Sequence, residues 1–442
     1  MLFQPPNLAA LVSAGCLLLT LLGCSPSAQD TVMFVSGDTA GWITPCGCTS
    51  NQSGGLSRRD ALIGQSARDQ PTLALDVGGN VAGHSQYDLI KLKAILNGLQ
   101  TAGYEAVNLG GPEAQFRASE IRELQQGLTL PLISANLRDS DGQPIAPPVH
   151  FVERGGHAFA IIGVVDPSRV GDDMTALDPY QTIVDLLPSI QADCVIVLAY
   201  VDASELRRLA KKLPEIDAMI GGPTGQVLPP SSVGSVLVAS STNKGKFLLR
   251  TTWKATGAAG ALSPDSEVVQ VHSELPKVDR QQANLEDFYR QLDAADLPPD
   301  QTTFVSDRLR RDDGPKIAGS QSCLACHQND DSVWHNSKHA NAWKSLQQSG
   351  AHVDPACQRC HTTGYGQANG FFSHRKSTPL VNVGCENCHG PSSLHVANAT
   401  VRTPYDARQQ CITCHDHENS PTFKYDPFWN LIRHGNSETI ER

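Results

Sequence analysis

Four copies of a Cys-x-x-Cys-His motif lie in the C-terminal part of the chain. Two thiols at this spacing can form thioethers to both vinyl groups of one haem, and the adjacent histidine can then bind the iron. Paired zinc sites use the same cysteine spacing, but zinc has no need of a histidine directly after every pair. A disulfide within each pair fits poorly, because residues so close in a regular turn lack the geometry for one. The motifs therefore predict four covalently attached c-type haems, on Cys323, Cys326 and His327, on Cys357, Cys360 and His361, on Cys385, Cys388 and His389, and on Cys411, Cys414 and His415.

Seven histidines of the same region lie outside the motifs, and a low-spin haem iron needs a second imidazole. His335 and His339 are four residues apart, so they would face one side of a helix. The seven side chains outnumber the four distal positions, so every iron could be saturated without using all of them. The remaining candidates are His352, His374, His395, His417 and His434.

The surroundings of the motifs resemble the tetraheme cytochrome c family of the ammonia oxidisers. The similarity covers about residues 319–434 and lies in Trp334 with the following Ser337-x-His339-Ala340, in residues 357–363, and in residues 384–391. This resemblance implies a mostly α-helical domain of closely packed haems whose role is electron transfer.

The same resemblance ranks the distal candidates. His339 and His395 match best, and His434 is third. His352 and His374 remain candidates, whereas His335 and His417 are disfavoured. In such proteins one iron can lack a sixth ligand, and the sequence leaves open whether that is so here. Since about 126 residues would surround four large apolar macrocycles, we expect the haems themselves to be the core of residues 317–442, braced by short helices.

The N-terminus has the pattern of an export signal. Residues 8–22 form an apolar segment of signal-peptide length, and the following Gly23-Cys24-Ser25 resembles the bacterial lipoprotein box. A short buried helix is the alternative. The pattern predicts a signal peptide over residues 1–24, a lipid on Cys24, and a location on the periplasmic side as an outer-membrane lipoprotein. Periplasmic or membrane redox proteins would then be the partners.

Residues 31–254 have the pattern of an α/β domain. Short apolar strands recur, including 32–35, 158–165 and 194–198, with helical stretches such as 203–212 between several of them. Residues 255–265 are rich in Gly, Ala and Ser and indicate a linker or a loop tip, and the linker with its helix extends to residue 316. The formal charge of −10 disfavours a nucleic-acid partner, because phosphate backbones require a basic surface.

Several segments of this domain resemble the exported metallophosphatase family that includes 5′-nucleotidases. They are residues 35–38, 54–59, 75–80, 103–110 and 220–224. The resemblance implies a pair of packed sheets flanked by helices, and a two-metal site held by Asp, Asn and His at strand ends. Asp38 is present, but glycine, alanine, proline or tyrosine stands at the other matching positions, so the resemblance predicts a domain without phosphoesterase activity. These positions are Ala40, Gly79, Gly111, Pro112, Tyr200, Pro223 and Gly225.

Cys46-Gly47-Cys48 follows Pro45 and resembles a metallophosphatase-like subgroup that carries Pro-Cys-Gly-Cys. Two thiols separated by one glycine could form a reducible disulfide or bind a soft metal. A structural disulfide with Cys194 as the partner is the alternative, although Cys194 lies in an apolar strand typical of a buried thiol. The sequence leaves structural and redox roles open.

Together these patterns predict an exported tetraheme c-type cytochrome that transfers electrons, with a metallophosphatase-like domain that docks a partner. A multihaem reductase, acting at an open haem or at Cys46 and Cys48, is the alternative. A haem that binds small ligands would favour the enzyme, and four saturated haems would favour the carrier.

Overall fold

The computed structural model describes residues 29–45, 52–223, 227–240, 243–256, 262–304, 314–403 and 405–435. The signal segment with Cys24, the Cys46–Cys48 pair and Gly225 lie outside these residues, so their predicted roles stay predictions. None of the helices in the described ranges is both long and apolar enough to span a membrane.

The N-terminal region is a layered α/β fold, as the sequence predicted. Its strands are β1 (Thr31–Ser36), β2 (Thr72–Asp76), β3 (Ala106–Asn108), β4 (Leu132–Ile133), β5 (Leu137–Asp139), β6 (Val149–Arg154), β7 (His157–Val165), β8 (Met174–Ala176), β9 (Cys194–Tyr200), β10 (Ala218–Gly222), β11 (Leu228–Val233), β12 (Val236–Ser240), β13 (Phe247–Ala255) and β14 (Leu262–Gln270). Its helices are α1 (Leu56–Asp69), α2 (Gln86–Thr101), α3 (Ala118–Gln126), α4 (Pro179–Leu186), α5 (Ala203–Lys212) and α6 (Asp279–Ala295).

Within the described residues, most strands belong to two six-stranded sheets. The first has the order β14-β13-β1-β2-β3-β4, and the second has the order β11-β12-β10-β9-β7-β6. Strands β1 to β4 run parallel, as do β7, β9, β10 and β12. Antiparallel strands β13 and β14 form one edge of the first sheet, whose other edge is the parallel strand β4, and antiparallel β6 and β11 form the two edges of the second sheet. Strands β5 and β8 form a separate antiparallel pair.

Strand β9 shows why this sequence gives a sandwich. All seven of its residues are buried. Ile196 and Leu198 join a cluster shared with the first sheet, whereas Val195 and Val197 join a cluster shared with α5. Because successive side chains point to opposite faces, an uninterrupted apolar run is required when both faces are covered. The layers are therefore helix, sheet, sheet and helix.

The boundary near residue 255 needs a correction. Strand β14 lies partly in the segment interpreted as a linker, and it pairs along its whole length with β13. The first sheet therefore extends to Gln270, and the Gly- and Ala-rich residues connect the two strands of a hairpin. Helix α6, which follows, packs on α1 and α2. The apolar positions of β14 are sparse because it is an edge strand with one exposed face.

The C-terminal region consists of short helices and loops. Its helices are α7 (Ser320–Leu324), α8 (Gln328–His335), α9 (Ala342–Ser349), α10 (Pro355–His361), α11 (Cys385–His389), α12 (Ser393–Ala397), α13 (Ala407–Ile412) and α14 (Tyr425–Trp429). The buried apolar residues that the structure describes in this region form a small core cluster around Trp343 and Phe371.

Candidate functional site

The four Cys-x-x-Cys-His motifs lie on short helices or at their ends. Helices α10 and α11 carry the second and third motifs almost entirely, and α7 and α13 begin the first and fourth. One helical turn separates the two cysteines of each motif, so both thiols face the same side. This is the local geometry that two thioether bonds to one macrocycle require.

Thiols of different motifs lie next to each other. The Cys323 thiol is hydrogen-bonded to the Cys385 sulfur, and this bond lowers the pKa of Cys385 to about 6. The Cys360 thiol is similarly bonded to Cys414, and this bond lowers the pKa of Cys414 to about 7. The fold therefore brings the first motif beside the third and the second beside the fourth.

Three motif histidines face a second histidine from elsewhere in the chain. The ring centres of His327 and His395 are 6.2 Å apart. Those of His415 and His339 are also 6.2 Å apart, and His389 has a third partner at a similar separation. That partner is His434, whose ring centre is 5.9 Å from that of His389. Each pair joins one predicted proximal residue with one predicted distal residue.

The histidine of the second motif is different. Among the described residues, none of the ring contacts of His361 is with another histidine. His352 and His374, the remaining distal candidates, face each other with ring centres 5.8 Å apart. His374 Nε2 lies 3.1 Å from Asp293 Oδ1 and 3.3 Å from Asp296 Oδ1, so this histidine is held by carboxylates near the end of α6.

Hydrogen bonds fix the orientation of several imidazoles. The Nδ1 atom lies 2.9 Å from Ala342 O in His361, 2.7 Å from Val401 O in His395, and 2.8 Å from Ile432 O in His434. A carbonyl only accepts, so each Nδ1 carries a proton, and in the neutral ring the lone pair is then on Nε2. A metal-bound histidine is typically fixed in this way by a partner at its other nitrogen.

Burial keeps other imidazoles in the neutral form that binds metal. It lowers the pKa of His339, with smaller contributions from His415 and His361. It also lowers the pKa of His389 and of His415. Metal ligation requires the neutral imidazole, so burial favours the form that can bind iron. By contrast, His335 is exposed, with Nδ1 2.7 Å from Asp331 Oδ1.

The sequence interpretation missed Glu386, which lies between the two cysteines of the third motif. Its buried carboxylate accepts hydrogen bonds from Ala318 N, Gly319 N and Ser392 N, at 2.7 to 3.1 Å. These bonds join the start of the first motif to the third. A carboxylate between the two cysteines of a haem motif could have marked Glu386 as a candidate, but the sequence does not show which backbone groups it binds.

The carboxyl ends of the inner strands form a second candidate site. The Tyr200 hydroxyl donates a 2.8 Å hydrogen bond to Asp38 Oδ1. A Cβ atom at Gly79 would lie 2.8 Å from the Tyr200 hydroxyl, and one at Gly111 would lie 3.1 Å from the Tyr200 ring. The tyrosine ring therefore fills the space that larger side chains at these positions would need. Pro223, which follows β10, is described as well, but it offers no side-chain ligand.

Glu113 lies beneath this edge and is almost completely buried. Its carboxylate accepts hydrogen bonds from Gly79 N at 2.9 Å and from Asn80 N at 2.7 Å. Burial raises the pKa of Glu113 to about 7, against the opposing effect of these bonds. The residue that would approach a metal, Asp38, is thus already engaged by Tyr200, and Glu113 is engaged by the backbone.

Comparison with known proteins separates the two regions. Residues 322–390 match the family described as "Cytochrome c554 and c-prime". Cytochrome c-554 of Nitrosomonas europaea is 28% identical over 27% of this chain and 66% of its own length. The C-terminal region is a c-type cytochrome domain. Domains of this class bind haem covalently and transfer electrons.

The N-terminal region is similar to 5′-nucleotidases. The rat enzyme is 26% identical over 48% of this chain, which spans 42% of that enzyme's length. A 5′-nucleotidase precursor from Thermus thermophilus has a TM-score of 0.52 at 21% identity, covering 68% of each chain. A calcineurin-like phosphoesterase from Bacillus subtilis has a TM-score of 0.52 at 16% identity, covering 60% of this chain and 97% of its own. These structures show a metallophosphatase-like fold, and we call residues 31–270 the nucleotidase-like domain.

The residues of the cytochrome domain fit c-type haem. Two imidazoles bonded to one metal at about 2 Å hold their ring centres about 6 Å apart, which is the separation of the three histidine pairs. Aromatic rings also stack on motif histidines, with Tyr405 4.5 Å from His389 and Phe423 4.7 Å from His415. The donor set and its apolar surroundings therefore suit iron porphyrin better than a hydrated ion.

Proposed function

We propose that the protein is an exported tetraheme electron carrier. The observation that carries this proposal is the facing of three motif histidines by three histidines from distant parts of the chain. When bound, the haems supply one-electron oxidation and reduction. Low-spin iron with two imidazoles reorganises little between its two oxidation states, which suits electron transfer.

The ligand assignment follows from the pairs. His327 and His395 would hold the first iron, and His389 and His434 the third. The fourth would be held by His415 with His339. His361 would be the proximal ligand of the second iron, whose sixth position has no histidine opposite it among the described residues. In His361 and His395 the Nδ1 atom is hydrogen-bonded to a backbone carbonyl, which would leave Nε2 to bind the iron.

Adjacent attachment points support a continuous electron path. The Cys323 thiol is bonded to Cys385 and the Cys360 thiol to Cys414, so the first haem would lie beside the third and the second beside the fourth. Cys388 of the third motif also interacts with Cys411 and Cys414 of the fourth, so the two pairs would join into one path.

The nucleotidase-like domain would serve as a docking module without phosphoesterase activity. Tyr200 supports this role, because its hydroxyl engages Asp38 and its ring fills the space beside Gly79 and Gly111. A two-metal site needs several oxygen and nitrogen ligands around that space. We further propose a lipid on Cys24, an outer-membrane location on the periplasmic side, and periplasmic or membrane redox proteins as partners.

A reductase is the second candidate function, and one observation favours it. Since no histidine of the part of the chain that the structure describes faces His361, the second iron could take a small ligand such as nitrite, hydroxylamine or nitric oxide. Cys46 and Cys48 would be a separate reductive site, outside the described residues.

One preparation separates these functions. The full chain, matured in a host that attaches haem c, is analysed by peptide mass spectrometry for haem on each motif. Electron paramagnetic resonance of the oxidised protein then counts low-spin and high-spin irons, before and after cyanide. Four attached haems with at most one high-spin site support the carrier. Fewer haems, or cyanide binding at more than one iron, would contradict it.

A further inference from the structure

The second haem motif is the one built into the nucleotidase-like domain. Val353, just before helix α10, is buried in the same apolar cluster as Tyr87 and Phe288. Ala356, inside α10, packs against that cluster as well. The helix that carries Cys357, Cys360 and His361 therefore starts in the core of the other domain.

A buried hydrogen bond fixes the start of this helix. The Tyr87 side chain is almost fully buried on α2, and its hydroxyl donates a 2.7 Å hydrogen bond to Asp354 Oδ1. Asp354 is the N-cap of α10, and the same oxygen accepts a hydrogen bond from Ala356 N at 2.9 Å. Its backbone oxygen accepts from Cys357 N at 2.9 Å. One residue thus links the tyrosine to the first thiol of the motif.

Neighbouring contacts hold the tyrosine in place. Phe304 lies between the two domains, with its ring 5.4 Å from that of Tyr87 and 5.0 Å from the guanidinium of Arg359. Arg359 is itself a residue of the second motif. The Lys91 ammonium lies 4.6 Å from the centre of the Tyr87 ring and contacts its hydroxyl. The hydroxyl is therefore oriented by a cation on one side and a carboxylate on the other.

The other motifs lack such a link within the described ranges. The first and third are joined to each other through Glu386, and their described residues form no hydrogen bond to the nucleotidase-like domain. Beyond the fourth motif, Glu418 pairs with Lys244 and its backbone oxygen accepts a 3.3 Å hydrogen bond from Gln52 Nε2, but the side chains of this ion pair are partly exposed. Exposed ion pairs are weak and are screened by salt, whereas a buried hydrogen bond to a carboxylate is among the stronger kinds.

We propose that Tyr87 is a positioning residue for the second haem, acting through Asp354 to fix the attachment helix and the charge beside it. The nucleotidase-like domain then sets the reduction potential of one haem selectively. This inference rests on the proposed haem at His361. A carboxylate near a haem favours the ferric state, and the hydroxyl that donates to it weakens this effect.

The test uses two changes with opposite expected signs in the full haem-loaded chain. Asp354→Asn keeps a good N-cap but removes the negative charge. The reduction equilibrium of one haem should therefore shift roughly tenfold toward the ferrous state, which raises its midpoint potential by about 59 mV. Tyr87→Phe leaves the carboxylate less compensated, so it should lower the midpoint of that same haem. The midpoints are followed by optical titration and by the high-spin resonance of the iron without a distal histidine.

Tyr104→Phe is the matched control, because Tyr104 is also buried in the nucleotidase-like domain and its hydroxyl is bonded to Ser36. It should leave every midpoint unchanged. The proposal is overturned if Tyr87→Phe leaves all midpoints unchanged, if Tyr104→Phe shifts the same haem, or if both test variants shift it in one direction. If Tyr87→Phe does not fold, an unchanged midpoint in Asp354→Asn overturns the proposal. Peptide mass spectrometry separates the failure of the proposed function, since an absent haem on the second motif would overturn both.

Discussion

The nucleotidase-like domain and the cytochrome domain differ in how much apolar side-chain surface they bury. The first buries two large clusters of aliphatic and aromatic side chains between and outside its sheets. Among its described residues, the second has one small cluster around Trp343 and leaves apolar side chains such as Leu394, Ile412 and Leu431 exposed to at least half. A peptide this poor in buried apolar contacts needs another source of burial, and four macrocycles would supply it.

This contrast teaches that the two domains respond to different changes. The nucleotidase-like domain should depend on side-chain packing and on the ionisation of its buried groups. The cytochrome domain should depend on covalent attachment and iron ligation. The predictions below test that separation.

The largest effect is expected at the third motif. Cys388→Ser should lose the haem proposed for this motif and unfold much of the cytochrome domain, because that haem would be part of its core. Haem content, measured by absorption and peptide mass, and protease resistance of the domain check this expectation. The control is Cys194→Ala, a buried cysteine of β9 outside the motifs, which should keep all haems. A cytochrome domain that stays folded after loss of the third haem would contradict the haem-core argument.

The next effect is confined to single irons. His339→Ala and His395→Ala should each convert one low-spin haem to high spin, since each removes the imidazole facing a motif histidine. Electron paramagnetic resonance of the oxidised variants measures this change. His335→Ala should leave the spectrum unchanged, because His335 is exposed and paired with Asp331. If neither distal variant gains a high-spin signal, the ligand assignment is wrong.

Stability of the nucleotidase-like domain should fall as the pH rises through the range set by Glu113. Its pKa is raised by burial from 4.5 to about 7, so the folded state holds a proton that the unfolded state has lost. The free energy of unfolding should therefore decrease by about 3 kcal/mol between pH 4.5 and 7. Urea titrations across this range measure the slope, and Glu113→Gln should flatten it. A wild-type slope of opposite sign would contradict the assignment of Glu113.

Sequence alone predicts the parts that depend on local pattern. The uninterrupted apolar run of β9, the amphipathic α6 and the Cys-x-x-Cys-His helices follow from residue type and spacing. Partners distant in the chain do not follow in this way. The facing of His415 and His339, the bond from Tyr87 to Asp354 and the pairing of β14 each depend on how the whole chain folds back. The replacement of the metal ligands by residues such as Gly79 and Gly111 could be read from the sequence. That the Tyr200 ring fills the space beside these glycines could not.

The smallest effect tests that filling directly. Gly79 has a φ of +78°, and an added Cβ would lie 2.5 Å from Asp38 Oδ1 and 2.8 Å from the Tyr200 ring and hydroxyl. Gly79→Ala should therefore destabilise the nucleotidase-like domain, first through backbone strain and the clash with Asp38, and second through the clash with Tyr200. Tyr200→Ala relieves only the second part, so the cost of Gly79→Ala should fall by about 1 kcal/mol in that background. Urea unfolding of the two single variants and the double variant measures this coupling, with haem potentials expected to stay constant throughout. Strict additivity would mean that the tyrosine and the glycine do not share one space, and a shift in any haem potential would show that this edge of the sheet, and not only Tyr87, affects a haem.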